Sequence, residues 1–443
     1  MADDLPDGDL TVLAHGVGSR IDLPLPLGLA LYGAGGAILL SFAVLLLFWR
    51  QPRLNRPASG VALPAGLQRV LDGGGTRLTL QALALAVAAL VTAVAVAGPR
   101  DTAHNLAPWV LYVTFWVGLV PASLLLGPVW RIANPLRLLH RGLRAVLPPP
   151  PGAGRLPALG LWPAAASLLV FLFLELVYPD RAEPTTVAVF LIGYAAVHLA
   201  LAAWFGEDWF AAGDGFEVYS SVIARLAPWG RRDDGRLALR NPLVNATVAP
   251  VDRGLVAVVV VLLGSTAFDG LSRTVFWQTG PGAANDSLSG TAGLLTMIAL
   301  VGALYVLGAR LSGRLSGQPE GVQPRRYAGT LIPITIGYTV AHYFSLFLLD
   351  GQTTWILASN PFGVAGVDLF GTYGNVVNLR AVSSDAIALV QVGAIVTGHV
   401  VGVTLAHERA LLSARRARAS DQLPLVVVMV MFTLGGLGLL FGF

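Results

Sequence analysis

The sequence contains no cysteine, which excludes disulfides, thiolate metal sites and cysteine nucleophiles. It also contains no lysine, so all 29 basic residues are arginine. Charge of either sign is scarce: charged residues are 12% of the 443, about half the ~25% typical of soluble domains. Hydrophobic residues make up 55% and the mean hydropathy is +0.69. This balance excludes an ordinary water-soluble domain, makes a lipid bilayer the expected partner, and gives no reason to expect nucleic acid. The first 23 residues are acidic (Asp3, Asp4, Asp7, Asp9) and lack the basic n-region of a cleaved signal peptide. There is no Gly-x-Ser-x-Gly elbow, no HExxH and no phosphate loop, and no internal repeat of 20–50 residues.

What the chain does have is apolar length. Segments of about 20 residues, the length needed to cross ~30 Å of hydrocarbon, recur near 26–49, 78–98, 108–130, 158–178, 185–205, 254–272, 288–308, 329–350, 385–406 and 423–443. The expected fold is therefore an all-α integral membrane protein of about ten transmembrane helices, forming one polytopic domain over 1–443. Alternate loops (50–77, 131–157, 206–253, 309–328, 407–422) hold 24 of the 29 arginines. The positive-inside rule then places these loops in the cytoplasm and both termini outside, in a multi-pass cytoplasmic-membrane protein.

Two cytoplasmic loops carry helices of their own. Asn134-Pro135 reads as an N-cap followed by proline at the first helical position. Beyond it Leu136, Leu139, Leu143 and Val146 share one face, while Arg137, His140, Arg141 and Arg144 share the other, wet face. Asp214-Gly215-Phe216-Glu217 reads as a capping-box variant that opens a stripe of Phe216, Tyr219, Val222, Ile223 and Leu226. Both are expected as interfacial helices on anionic headgroups, with Trp204, Trp209 and Trp229 as an aromatic belt. The outer tail 1–25 precedes the first span. The long, apolar outer loop 351–384 is expected to fold back as a cap or re-entrant segment.

The eighth span, 329–350, is the unusual one. Thr335, Tyr338, His342 and Ser345 recur at helical spacing and form a polar stripe that lipid cannot satisfy. An ionisable residue there costs roughly 2–3 kcal/mol on insertion scales and marks a functional site by default. Counting ~1.5 Å per residue, Glu175, Asp269 and His342 fall in one layer about 20–24 Å from the cytoplasmic face. His198 and His399 fall in a second, inner layer. Two such strata suit a proton or ion pathway, a divalent-metal site at His342, His399 and His198, or bis-histidine haem ligation. They suit equally histidines that only pack helices. Ala394, Gly398 and Gly402 make a small-residue face beside His399. Ten spans also divide into two inverted halves of five, a transporter arrangement. Gly33, Gly35 and Gly36 in the first span and Gly264, Ser265, Thr266 and Asp269 in the sixth would allow broken helices, or merely close packing.

Three short motifs occur together: Ala14-His15-Gly16-Val17-Gly18 with Arg20, Asp22, Leu23 and Pro24; AHYFS at 341–345; and Gly398-His399 followed by AHERA at 406–410. Together they resemble an actinobacterial polytopic membrane-protein family commonly labelled fenitrothion hydrolase. That resemblance implies cleavage of an organophosphorus ester at the membrane, and it carries no catalytic residue across. Three functions follow: a membrane hydrolase with catalytic His342, Glu175 and Asp269; a proton-coupled secondary transporter using the same groups on a small-molecule substrate; or a non-catalytic assembly subunit that packs against a membrane partner. His15 reads either as a copper ligand or as part of a tail docked on the outer loop.

Overall fold

The computed structural model describes residues 27–413 and 418–441. The tail motif with His15 lies outside them. Helices occur at all ten expected positions: α1 (Leu27–Phe48), α2 (Gly74–Ala97), α3 (Leu106–Leu126), then after the loop helix α4 (Pro135–Arg144), α5 (Trp162–Leu176) and α6 (Pro184–Phe205). The loop helix α7 (Gly215–Ile223) is followed by α8 (Leu255–Ser272), α9 (Ser287–Leu315), α10 (Ile332–Leu349), α11 (Ser384–Ser413) and α12 (Ala419–Phe441).

Among the described residues nine spans are long and apolar enough to cross a bilayer, so the chain is a multi-pass membrane protein. The tenth, α5, has 15 residues, or ~22 Å at 1.5 Å per residue. It is cut short at its start by Gly160, which holds φ 54°, and by Pro163 in its first turn. It nevertheless joins the two faces. Leu161 N donates to Arg253 O at 2.7 Å on the arginine-rich side. Past its far end, Arg181 O accepts from Tyr112 near the start of α3.

The arginine-rich loops meet one another, as the alternation of charge requires. β1 (Val61–Ala62), β2 (Trp229–Arg231) and β3 (Leu237–Leu239) form an antiparallel sheet in the order β1-β3-β2, with Val61 opposite Leu239. That sheet stitches loop 50–77 to loop 206–253. Arg325 donates to Val251 O, joining the 309–328 loop to the same face. Glu408, fully buried at the end of α11, accepts from Trp49 Nε1 at 2.9 Å and from the backbone N–H of Arg53 and Leu54 at 2.8 and 2.7 Å. Its neighbour His407 reaches Trp49 O and Gln422 Oε1, each at 2.8 Å. The AHERA motif is thus the latch that holds the chain just past α1.

The most buried spans are α8 and the segment containing α10, the two that carry Asp269 and His342. The Ala394/Gly398/Gly402 face of α11 packs on α10 as the small residues suggest. A Cβ on Gly398 would stand 2.5 Å from Pro333 O and 3.2 Å from Gly337 Cα. The helix backbones therefore touch with no room for a side chain, the geometry that small-residue motifs permit.

Several expectations are corrected. α7 is not interfacial: eight of its nine residues are buried. Its Phe216 and Tyr219 join an aromatic cluster with Trp116 and Phe171, so the bundle satisfies its stripe better than headgroups would. α4 is turned about its axis from the expected setting. His140 is buried at 1% exposure and Leu136 is buried with it, while Leu139, Leu143 and Val146 are exposed, so most of the apolar face turns outward and the imidazole faces Phe210. Trp209 is buried as well, and of the expected belt only Trp204 is well exposed, at 50%. α1 and α8 run unbroken through the glycines proposed as breaks. The irregular span is α3, whose Trp109–Val117 stretch is π-helical. Both proposed caps are present: Asn134 Oδ1 accepts from Leu136 N at 3.0 Å, and Asp214 Oδ1 accepts from Phe216 N and Glu217 N. Segment 351–384 opens with the helix Gly351–Ala358 and continues as turns organised around Asp368, leaving Trp355, Leu369 and Phe370 exposed.

Candidate functional site

α8 and α10 bring Asp269 and His342 together. His342 Nε2 lies 2.5 Å from Asp269 Oδ2, and both residues are buried. One helical turn beyond Asp269, Arg273 donates to the same carboxylate, Nε to Oδ1 at 3.3 Å and Nη2 to both oxygens at 3.2 Å. Its side chain is 45% exposed, so it connects the buried pair to the arginine-poor face. Asp269 is thus held between a guanidinium and an imidazole.

Glu175 joins through Tyr343, whose hydroxyl donates to Glu175 Oε1 at 3.2 Å. The Tyr343 ring stands edge-on to His342, with centroids 4.8 Å apart. The three residues read from the sequence as one layer are therefore one linked cluster. The sequence reading did not identify two of its members. Arg273 was detectable, since it follows Asp269 at i+4 on the same helix face. Tyr343 was not, because it sits one residue off the polar stripe and reaches Glu175 only through the packing of α5 on the bundle.

The cluster is incomplete as a hydrogen-bond network. Glu175 Oε2, His342 Nδ1 and Tyr338 Oη are buried without partners among the described residues. Space beside Tyr338 is made by two glycines: a Cβ on Gly270 would lie 3.2 Å from its hydroxyl, and one on Gly436 would lie 3.2 Å from its ring. Buried polar atoms are normally paired, so three orphans in one place single this cluster out as the candidate site.

The second layer does not form. His198 Nδ1 accepts from Trp209 Nε1 at 3.0 Å, and its Nε2 lies 3.2 Å from Ser167 Oγ. His399 instead pairs Nδ1 with Ile395 O in its own helix. These two histidines and His342 keep separate company. Among the described residues no group of three or more His, Asp or Glu is placed to hold a metal ion. The reason lies in helix placement: α6 packs against α2 and α4 while α11 packs against α10, α1 and α12, and equal depth does not make two helices neighbours.

On the arginine-rich side a separate buried network ties two loops and α6 together. Asn134 Nδ2 donates to Asp214 Oδ2 at 2.8 Å and Glu217 Oε2 at 2.9 Å, and Arg137 adds a two-pronged contact to Glu217 at 2.6 and 2.9 Å. Tyr194 completes Asp214 at 2.7 Å. Burial raises both carboxyls; hydrogen bonds from Tyr194 to Asp214 and from Arg137 to Glu217 pull them back. Every oxygen here is engaged, which makes this network a structural one.

Comparison with protein families, with curated proteins and with solved structures gives no match for this chain.

Proposed function

We propose that the chain is a proton-coupled membrane carrier in which the Asp269–His342 pair is the protonation site and Glu175 the adjoining acceptor. The observation that carries this reading is the 2.5 Å contact between two ionisable groups in the most buried part of the bundle, beside the unpartnered Glu175 Oε2 and His342 Nδ1. With Arg273 paired to Asp269, the group is neutral while His342 is neutral and gains one positive charge on protonation. A net charge in that position costs a few kcal/mol. Protonation therefore biases any pair of conformations that differ in how far the cluster is open to water.

The hydrolase reading implied by the motif resemblance rests on the same pair. Asp269 holds Nε2 and leaves Nδ1 free, the arrangement of a general base able to take a proton from water. No grouped metal ligands accompany it among the described residues, so the carrier reading stands first.

The test uses purified protein in liposomes that hold a pH-sensitive dye. Small solutes are screened under an imposed proton gradient. Solute-dependent proton flux is expected in the native protein, with none in His342→Gln or Asp269→Asn reconstituted at equal amounts of folded protein. Flux that survives both substitutions sinks the proposal. Release of nitrophenol from a nitrophenyl phosphorothioate by the native protein, and not by His342→Gln, establishes the hydrolase instead.

A further inference from the structure

Segment 351–379, between α10 and α11, keeps its polar groups to itself. Its one charged residue is Asp368. Oδ1 of that carboxylate accepts from Ser359 Oγ and from the backbone N–H of Thr372 and Tyr373, the last two at 3.0 and 3.2 Å. Two amide side chains are turned inward as well. Asn360 exchanges a pair of 2.9 Å hydrogen bonds with the backbone of Val364. Gln352 does the same with the backbone of Asn378, at 3.0 and 3.3 Å. Leu369 N and Phe370 N donate to Ser359 O and Oγ at 2.8 and 2.7 Å.

These contacts fold the segment into a hairpin. The helix Gly351–Ala358 leads away from α10, and the chain then turns and comes back beside it. Thr372 Oγ1 donates to Trp355 O at 3.0 Å, and further along the return limb Asn378 meets Gln352. One side of the hairpin is packed. Thr114 Oγ1 of α3 donates to Thr354 Oγ1 at 2.8 Å, and Leu357 and Tyr373 join Val94 of α2 and Leu106 of α3. Gly363 sits so close to the α2–α3 connection that a Cβ there would stand 3.1 Å from Pro99 Cγ. The other side is bare and apolar: Trp355, Leu369, Phe370 and Val376 are 63–88% exposed.

Three features favour lipid as the cover for that side. The hairpin starts level with the spans, since Thr114 lies within α3, roughly 10 Å from its first residue. It continues a span, because the apolar stretch that contains α10 extends to Ala358. It is also followed directly by the exposed Arg380, where a long basic side chain reaches headgroups from an apolar edge. A protein partner would ordinarily meet hydrogen-bonding groups. Here those groups are engaged inside the hairpin, which is the condition for irregular backbone to approach hydrocarbon.

We infer that segment 351–379 is an interfacial lipid anchor, with Trp355, Leu369, Phe370 and Val376 seated at the headgroup–acyl boundary of the leaflet on the arginine-poor side. Apolar side chains at that level, tryptophan above all, suit it. The inference shares no residue with the proton-carrier site and does not depend on that reading.

The chain has no cysteine, so a bimane fluorophore can be placed singly through Leu369→Cys or Val376→Cys. Ala284→Cys, exposed in the loop before α9 on the same side, is the reference. All three positions are exposed, so the label displaces no packed side chain. The full-length protein is put in phosphatidylcholine nanodiscs, with or without phosphatidylcholine that carries a nitroxide near the top of its acyl chain. Iodide serves as the aqueous quencher. At 369 and 376 the nitroxide lipid should remove most of the emission and iodide little of it, and at 284 the order should reverse. Iodide quenching at 369 and 376 without nitroxide quenching puts the face in water and overturns the anchor. Protection from both quenchers overturns it equally and, with two copies found in one nanodisc by native mass spectrometry, identifies a second copy of the chain as the cover.

Discussion

His342 Nε2 lies 2.5 Å from Asp269 Oδ2, and the two residues come from the two most buried spans of the bundle. An ordinary intramembrane hydrogen bond averages only about 0.6 kcal/mol. Removing one partner of a buried ionic pair costs more, about 3–5 kcal/mol, because the other charge is left uncompensated. Asp269→Asn leaves Arg273 without its counter-charge and should destabilise strongly, whereas His342→Gln leaves Asp269 paired with Arg273 and should cost less; the double variant should lose less than the sum. A double-mutant cycle on detergent unfolding should give a coupling of about 1–3 kcal/mol. Additive losses would show that the pair is a packing contact.

The α10–α11 contact makes a second prediction. With a Cβ on Gly398 set 2.5 Å from Pro333 O, Gly398→Ala must push two backbones apart and should destabilise by about 1–3 kcal/mol. Gly393→Ala on the same helix meets nothing within 4 Å and should be neutral. Thermal unfolding of the two variants compares them directly, and equal midpoints would contradict the packing.

His140 gives the pH dependence of α4. Burial lowers its pKa, Glu207 partly opposes this, and Arg144 and Arg137 reinforce it. A histidine depressed in the folded state contributes stability that is full above its unfolded value of about 6.5. That stability is lost as pH falls towards the folded pKa, because the unfolded chain takes up the proton first. The unfolding temperature should drop between pH 7.5 and pH 5, and His140→Phe should drop less. Parallel curves would mean that His140 is as accessible as the wet-face reading implied.

The sheet on the arginine-rich face tests the topology. The chain lacks cysteine, so a Val61→Cys/Leu239→Cys pair can be read without background, and the facing register should allow it to cross-link on oxidation. Single cysteines at Gln352 and Asp234 should differ towards an impermeant thiol reagent on intact cells, with 352 labelled and 234 protected. The reverse pattern would invert the orientation drawn from the arginines.

Much of this was legible because bilayer physics leaves few choices. Ten apolar runs gave ten helices, and the arginine count placed loops 50–77 and 206–253 on one side, where β1 and β3 indeed pair. Depth counting put Glu175, Asp269 and His342 in one layer, and they are linked. The same counting wrongly joined His198 to His399, since depth carries no information about which helices are neighbours. Rotation misled at α4: a helix with leucines on one side and arginines on the other fits a membrane surface either way. The sequence gives no sign that His140 would be the residue turned inward, and α7 looked interfacial because a stripe does not say whether lipid or protein covers it. Glu408 was visible only as a charge at the rim. Its acceptors' partners lie more than 350 positions earlier in the chain, beyond what local spacing can reveal.

That separation bears on how the protein is made. The first helix finds its principal neighbours in α11 and α12, the last two, and the Glu408 latch joins residues 355 apart in sequence. At ~5–20 residues per second, α1 waits on the order of 20–70 s after emerging before its clamp is synthesised. During that interval it is held by lipid alone, and its near-unbroken apolarity suits it to do so. The packing of α1 on the last two helices forms only when translation is nearly complete, so a ribosome that stalls before the AHERA stretch leaves an inserted but unlatched chain, exposed to membrane proteases.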